Sequence, residues 1–317
     1  MRTTLLSLLA LLMLSSCSEQ EEPAFDSSGG TENVPAGVSR VLFKTGPQSQ
    51  CVYIFRKEGD VFRYDSTINS GWSEEGTATA RLVLGDYKFL FTGPLNGDLD
   101  VLPATLDKTV TWEQLSFASR QDDGHENGIL PAGELFLPEP EVADSVYAIR
   151  GDDEIACTLK RRVSQLTFAV KRGFKDGDIY VPQPFDGGQD ILSMVDQLEV
   201  EIYGVARSCN YEGTSGTGNV FRTYSASDDG STDPDGFVTF TGPFVFPPSD
   251  GSEVRLKITP GKPSGGTYPP VEITRKLEAN RQLEVNLWMS SSQYDIGVTV
   301  QSAPISEETK GDEGVWE

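Results

Sequence analysis

Thr77-Ala78-Thr79-Ala80-Arg81-Leu82-Val83-Leu84 leads through Gly85-Asp86 into Tyr87-Lys88-Phe89-Leu90-Phe91-Thr92. Each run has the length and composition of a strand. A glycine at the first position of a two-residue turn supplies the positive φ that a tight connection requires, so the segment predicts a β-hairpin. Cys51 to Arg56 and Asp60 to Asp65, joined through Lys57-Glu58-Gly59, predict another, with Tyr53 and Phe55 on one face and Val52 and Ile54 on the other.

Outward from these hairpins the pattern continues as short apolar or alternating runs separated by Gly, Pro, Asn and Asp. Strands are expected at Glu134 to Leu137, Ser145 to Ile149, Ile155 to Lys171, Gln197 to Val205 and Phe237 to Phe246, then at Glu253 to Thr259, Val271 to Leu277, Gln282 to Trp288 and Tyr294 to Gln301. Leu198, Val200 and Ile202 alternate against Glu199, Glu201 and Tyr203. Helical spacing is confined to Ile191, Leu192, Val195 and Leu198, enough for one short turn. The fold class is therefore all-β, read as two β-sandwiches in tandem, residues 38–150 and 151–301, divided at the polar stretch Arg150-Gly151-Asp152-Asp153. Long polar loops are expected at Lys175 to Gln189, Asn210 to Gly218 and Ser225 to Gly236.

The N-terminus reads as an export signal. Arg2 precedes an apolar core from Leu5 to Leu14 that is too short for the roughly 20 residues of a spanning helix. Leu14-Ser15-Ser16-Cys17 resembles the lipobox of bacterial lipoproteins, which implies cleavage between Ser16 and Cys17 and acylation of Cys17, palmitate included. Residues 1–16 are then a signal peptide and 17–37 an acidic, flexible tether. Its opening, Ser18-Glu19-Gln20-Glu21-Glu22, resembles the tag by which Bacteroidetes lipoproteins reach the outer leaflet of the outer membrane.

A formal charge of −22, from 26 basic and 48 acidic side chains, disfavours nucleic acid as a partner and an electrostatic contact with anionic lipid. Lipidation of Cys17 leaves Cys51, Cys157 and Cys209, which form at most one disulfide and show no spacing of a zinc or redox site.

Catalysis has little to stand on. His125 is the only histidine and sits in the loop sequence Asp122-Asp123-Gly124-His125-Glu126-Asn127-Gly128. Carboxylates are too abundant for any pair to mark a glycosidase. Asp228-Asp229-Gly230-Ser231-Thr232-Asp233-Pro234-Asp235-Gly236 has oxygen ligands for calcium but lacks the register and terminal Glu of a calcium loop. Gly213-Thr214-Ser215-Gly216-Thr217-Gly218 has no Lys to make it a phosphate loop. Arg150-Gly151-Asp152 reproduces a cell-adhesion tripeptide, too short a match to carry weight. The chain is read as a non-enzyme with no catalytic, cofactor-binding or metal-ligating residues and no cofactor.

Three stretches together resemble the fimbrillin-associated anchor lipoproteins of Bacteroidetes, of the FimB type, the minor anchor subunits of type V pili. They are Val52-Tyr53-Ile54-Phe55-Arg56-Lys57-Glu58-Gly59-Asp60-Val61, Leu82 to Gly93 with its apolar run and Gly85-Asp86-Tyr87, and the basic-headed Leu159-Lys160-Arg161-Arg162-Val163 to Val170. The family often has an acidic residue where this chain has Arg56. The resemblance implies two transthyretin-like sandwiches and a surface-exposed outer-membrane lipoprotein. It would anchor or nucleate a fimbria by strand exchange with pilin subunits, and host or bacterial surface ligands are further partners. It also implies an alternative, a shaft or tip adhesin matured by cleavage after Arg40 in Val38-Ser39-Arg40-Val41. A glycan-binding lipoprotein, with Trp72, Trp112 or Trp288 stacking on sugars, is a further alternative. The acidic tail 302–317, with Ile305, Val315 and Trp316, is read as a disordered terminus, with a donor strand as the other option.

Overall fold

The computed structural model describes residues 37–46, 49–95, 99–185, 190–290 and 293–305. Ser16 and Cys17, nearly all of the tether and most of the tail lie outside them. The first strands are β1 (Val38–Lys44), β2 (Cys51–Glu58), β3 (Val61–Ile68), β4 (Thr77–Val83), β5 (Gly85–Thr92), β6 (Leu99–Leu102), β7 (Ser116–Ser119) and β8 (Phe136–Pro138). A short helix, α1 (Pro140–Ala143), precedes β9 (Tyr147–Ile149), β10 (Asp153–Ala156), β11 (Leu159–Arg161), β12 (Ser164–Asp176) and β13 (Ile179–Pro182). Then come β14 (Gln197–Val205), β15 (Ser208–Cys209), β16 (Thr214–Ser215), β17 (Gly218–Ser225) and β18 (Gly230–Thr232). The last are β19 (Val238–Val245), β20 (Glu253–Gly261), β21 (Val271–Lys276), β22 (Arg281–Ser290) and β23 (Gln293–Pro304). The chain is all-β and folds as sandwiches. The expected helical turn is a single 3-10 turn, Ile191–Ser193. No helix among the described residues is long and apolar enough to cross a membrane.

The hairpin expected at Cys51 to Asp65 forms as β2 and β3, with Gly59 at the turn in the left-handed region (φ 64°). Its two faces enter different cores. Val52 and Ile54 pack with Val41, Phe43, Phe89 and Phe91 between the sheets β10-β1-β4 and β3-β2-β5-β9. Tyr53 and Phe55 pack on the opposite side with Trp112, Phe117 and Leu137. The second sheet is thus covered on both faces.

That double burial explains why the other expected hairpin does not form. β4 pairs with β1, whereas β5 pairs with β2 and β9 in the opposing sheet, and Gly85 has no positive φ. The Leu84–Gly85 step is a corner between two layers. β4 buries one face only, through Ala78, Ala80 and Leu82. β5 buries both faces, Tyr87, Phe89 and Phe91 toward one core and Leu90 toward the other. Side by side, the two strands would place exposed Arg81 in the surface that must be covered over Leu90.

Beyond Arg150, where a domain boundary was expected, the chain still completes the first sheets. β10 runs parallel to β1, and β11 pairs with β8. Strand formation over Ile155 to Lys171 is therefore interrupted, and the second sandwich begins at β12. There the sheet β18-β19-β12-β22-β23 faces β17-β14-β20-β21 across a core that includes Leu166, Phe168, Leu198, Val200, Ile202 and Phe240. β13 pairs with the far end of β12, and β15 and β16 extend β7 and β6 of the first half. The three segments expected as loops hence contribute β13, β16 and β18, because backbone pairing tolerates polar side chains wherever a neighbouring edge offers donors and acceptors.

The basic head of the third family-like stretch clamps the two halves. The Arg161 guanidinium is buried, donates to Glu134 Oε1 (3.0 Å) and Asn280 Oδ1 (3.2 Å), and lies over the Phe136 ring. Lys160 and Arg162 both reach Glu139.

Candidate functional site

Sheet edges are the places where unpaired backbone groups meet a partner, and proteins usually guard them with charge, proline or bulges. β3 is partly capped, since Tyr64 N–H donates to the Val110 carbonyl (2.9 Å) and Arg63 bridges Thr111. One end of β17 is covered by the bridge between Gly128 and Asn219. β21 carries Glu272, Arg275 and Lys276.

β23 is different. It pairs along its length with β22 and has no second neighbouring strand among the described residues. From Ile296 to Pro304 it has no charged side chain, in a chain that is 23% charged. Ile296, Val298 and Val300 are only half-buried against the second core, as are Val271 and Ile273 of β21, the end strand of the opposing sheet. Each sheet of this sandwich therefore ends in a strand that supplies partly wet aliphatic side chains to one shared core. On the outer face Tyr180 stacks on Trp288 (5.6 Å, 7° between planes) and lies against Gly297, where a Cβ would collide with its hydroxyl. Trp288 Nε1 donates to Thr299 Oγ1 (3.0 Å), fixing β23 to β22 from that side. Charge-free, half-buried edge strands were not singled out in the sequence, because an edge cannot be told from a central strand until the strand order is known.

The residues that were singled out lie apart. Arg40 is inside β1, exposed, with its backbone opposite Arg81 and its N–H on Asp152 Oδ1 (3.2 Å). Arg150 spends its guanidinium on the Gly85 carbonyl (2.8 Å), the Ile149 carbonyl and Asp86, so the cation and the anion of Arg150-Gly151-Asp152 are both engaged within the molecule. His125 stacks on Phe221 (4.1 Å), and its Nδ1 lies 2.8 Å from Asp122 Oδ2. That hydrogen bond holds the Asp122 carboxyl below its usual range. In the Asp228 to Gly236 segment the carboxylates turn onto their own backbone: Asp229 accepts from Ser225 N–H, and Asp233 from Asp235 and Phe237 N–H. Among the described residues no group of three His, Cys, Asp or Glu is arranged to hold a metal ion.

Trp112 is fully buried, edge-on to Phe55 (5.2 Å), and Trp288 lies beneath Tyr180. Trp72 leans on the first core and donates to the Ile68 carbonyl. Burial pushes the thiols of Cys157 and Cys209 up to about 12 and that of Cys51 up to about 11, and all three are free.

Fold and site together define a class of protein: a sandwich protein with an end strand that bears no charged side chain from Ile296 to Pro304, where Arg281 of β22 reaches across to Ser302. The chain belongs to the family of fimbrillin-A-associated anchor proteins Mfa1 and Mfa2, whose profile matches residues 43–308. No curated protein matches its sequence. Among solved structures it is similar to a candidate polysaccharide-binding protein of Bacteroides thetaiotaomicron (11% identity, TM-score 0.52, covering 85% of this chain and 99% of that one). It is also similar to a candidate adhesin of Bacteroides ovatus (13% identity, TM-score 0.51, covering 85% and 95%). The fimbrial anchor protein Mfa2 of Porphyromonas gingivalis matches at 13% identity with a TM-score of 0.49, covering 84% and 98%.

Proposed function

We propose that this protein is a non-enzymatic, outer-membrane lipoprotein that anchors or nucleates a fimbria, held by acylated Cys17 and joined to a fimbrial subunit by strand addition at β23. Family membership supports the fimbrial role, and the uncharged edge over Ile296 to Pro304 is the observation that carries the mode of binding. Main-chain hydrogen bonds to β23 give affinity. Side chains of the added strand, alternating inward beside Ile296, Val298 and Val300, give register and specificity. The incoming segment is then an extended one with apolar residues at every second position.

The cleaved-subunit alternative has a structural cost. A cut after Arg40 falls within β1 and leaves Val41–Lys44 still paired to β4 and β10, so only three residues of that strand, Val38 to Arg40, would be removed from the sheet.

The test has two arms on intact cells. Cys17→Ala should release the protein and shed fimbriae into the medium, and fibres retained normally by that variant would remove the anchor role. A photoreactive residue at Gln301, on the exposed part of β23, should capture a fimbrial subunit, whereas the same group at Thr223 of β17 should not. Equal capture at both positions would refute the assignment of the edge.

A further inference from the structure

The corner between β4 and β5 presents two large aliphatic side chains to solvent, Val83 (49% exposed) and Leu84 (40%). Single exposed aliphatics are ordinary, but here the backbone beneath the pair is braced at three successive carbonyls. Tyr87 Oη donates to Val83 (2.7 Å), Arg56 Nη2 to Leu84 (3.2 Å) and Arg150 Nη1 to Gly85 (2.8 Å). The same corner is where the tether joins the body, since Leu84 N–H donates to the Gly37 carbonyl (3.0 Å).

The charge there departs from that of the molecule. Against a total of −22, the six cations Arg40, Arg56, Lys57, Arg63, Arg81 and Arg150 face five anions, Glu58, Asp60, Asp86, Asp152 and Asp153. Asp86 is neutralised by Arg150, and Glu58 lies 3.8 Å from Arg63. Arg56 meets a carbonyl rather than a carboxylate, and Lys57 has no ion-pair partner among the described residues. Lys57, Gly59, Leu84, Gly85, Asp86 and Arg150 line an open hollow of about 570 Å³.

We infer that this corner is the membrane-facing surface of the protein, resting Val83 and Leu84 in the interfacial layer of an anionic bilayer with Lys57 and Arg56 beside headgroup phosphates. The inference rests on acylation of Cys17. Residues 17–37 place 21 residues of chain between Cys17 and this corner, which is therefore the part of the described body nearest to the lipid end along the sequence. Tethering supplies the high effective concentration at which a weak contact becomes occupied. Such a contact would orient the body and leave β23 free for its partner.

The experiment uses the acylated full chain in vesicles of phosphatidylcholine and phosphatidylglycerol, with an environment-sensitive fluorophore on Leu84→Cys or, as control, on Thr223→Cys. The probe at position 84 should shift to the blue and be quenched by brominated lipid, while the probe at 223 stays aqueous. Adding Lys57→Glu should reverse the shift at 84. If the chain binds vesicles through its lipid but position 84 reads as aqueous as 223, the inference is overturned and the anchor reading survives. If the wild-type chain carries no acyl group and does not bind vesicles, both fall.

Discussion

Replacing Phe43 by alanine asks whether β1 is built into the first sandwich or laid against it. Phe43 is fully buried, and its ring meets Phe89 and Phe91 edge-on at 5.2 and 5.4 Å. Burial of the side chain contributes about 3 kcal/mol, and the aromatic pairs and the cavity left behind raise the loss to about 4 kcal/mol. For a body of this size that lowers Tm by about 8–16 °C. Urea titration followed by far-UV circular dichroism measures the loss, and thermal melts give the shift. A cost below about 1 kcal/mol with an unchanged m-value would mean that β1 is not part of the cooperative core, and the objection to cleavage after Arg40 would lapse.

The buried thiols predict that Cys51 and Cys209 resist a disulfide reagent at pH 8 in the native protein, that half-buried Cys157 reacts ahead of them, and that all three react together in denaturant; rapid native labelling of Cys51 or Cys209 would contradict their burial. Glu139 is held below the usual carboxyl range near 4.5 by its hydrogen bond to Lys160, so its contribution is present above that value and is lost as pH falls through the depressed one. Because the pair is more than a third exposed, Glu139→Gln should flatten acid unfolding by about 1 kcal/mol or less, measured as the difference in urea stability between pH 7 and pH 3. Gly297→Val should expel Tyr180 from Trp288, changing tryptophan emission and costing about 1–3 kcal/mol; unaltered fluorescence would show that the tyrosine does not cover the indole.

The amino-acid sequence by itself determined the all-β class, the β2–β3 hairpin with its two apolar faces, and the positions of β14, β20 and β22, because strand identity follows from local alternation and turn residues. Three short stretches, in their order behind the lipobox-like N-terminus, also pointed to the family to which the chain belongs. Only the tertiary structure decided which strands become neighbours. The run around Gly85 became a corner because β5 needed cover on both faces and β4 on one, a requirement set by residues far away in sequence. The same holds for the open edge at β23 and for the corner at Leu84, which draws cations from separate segments of an acidic chain. Periodicity is a property of one segment, whereas exposure, pairing and local charge belong to the surfaces that segments make together.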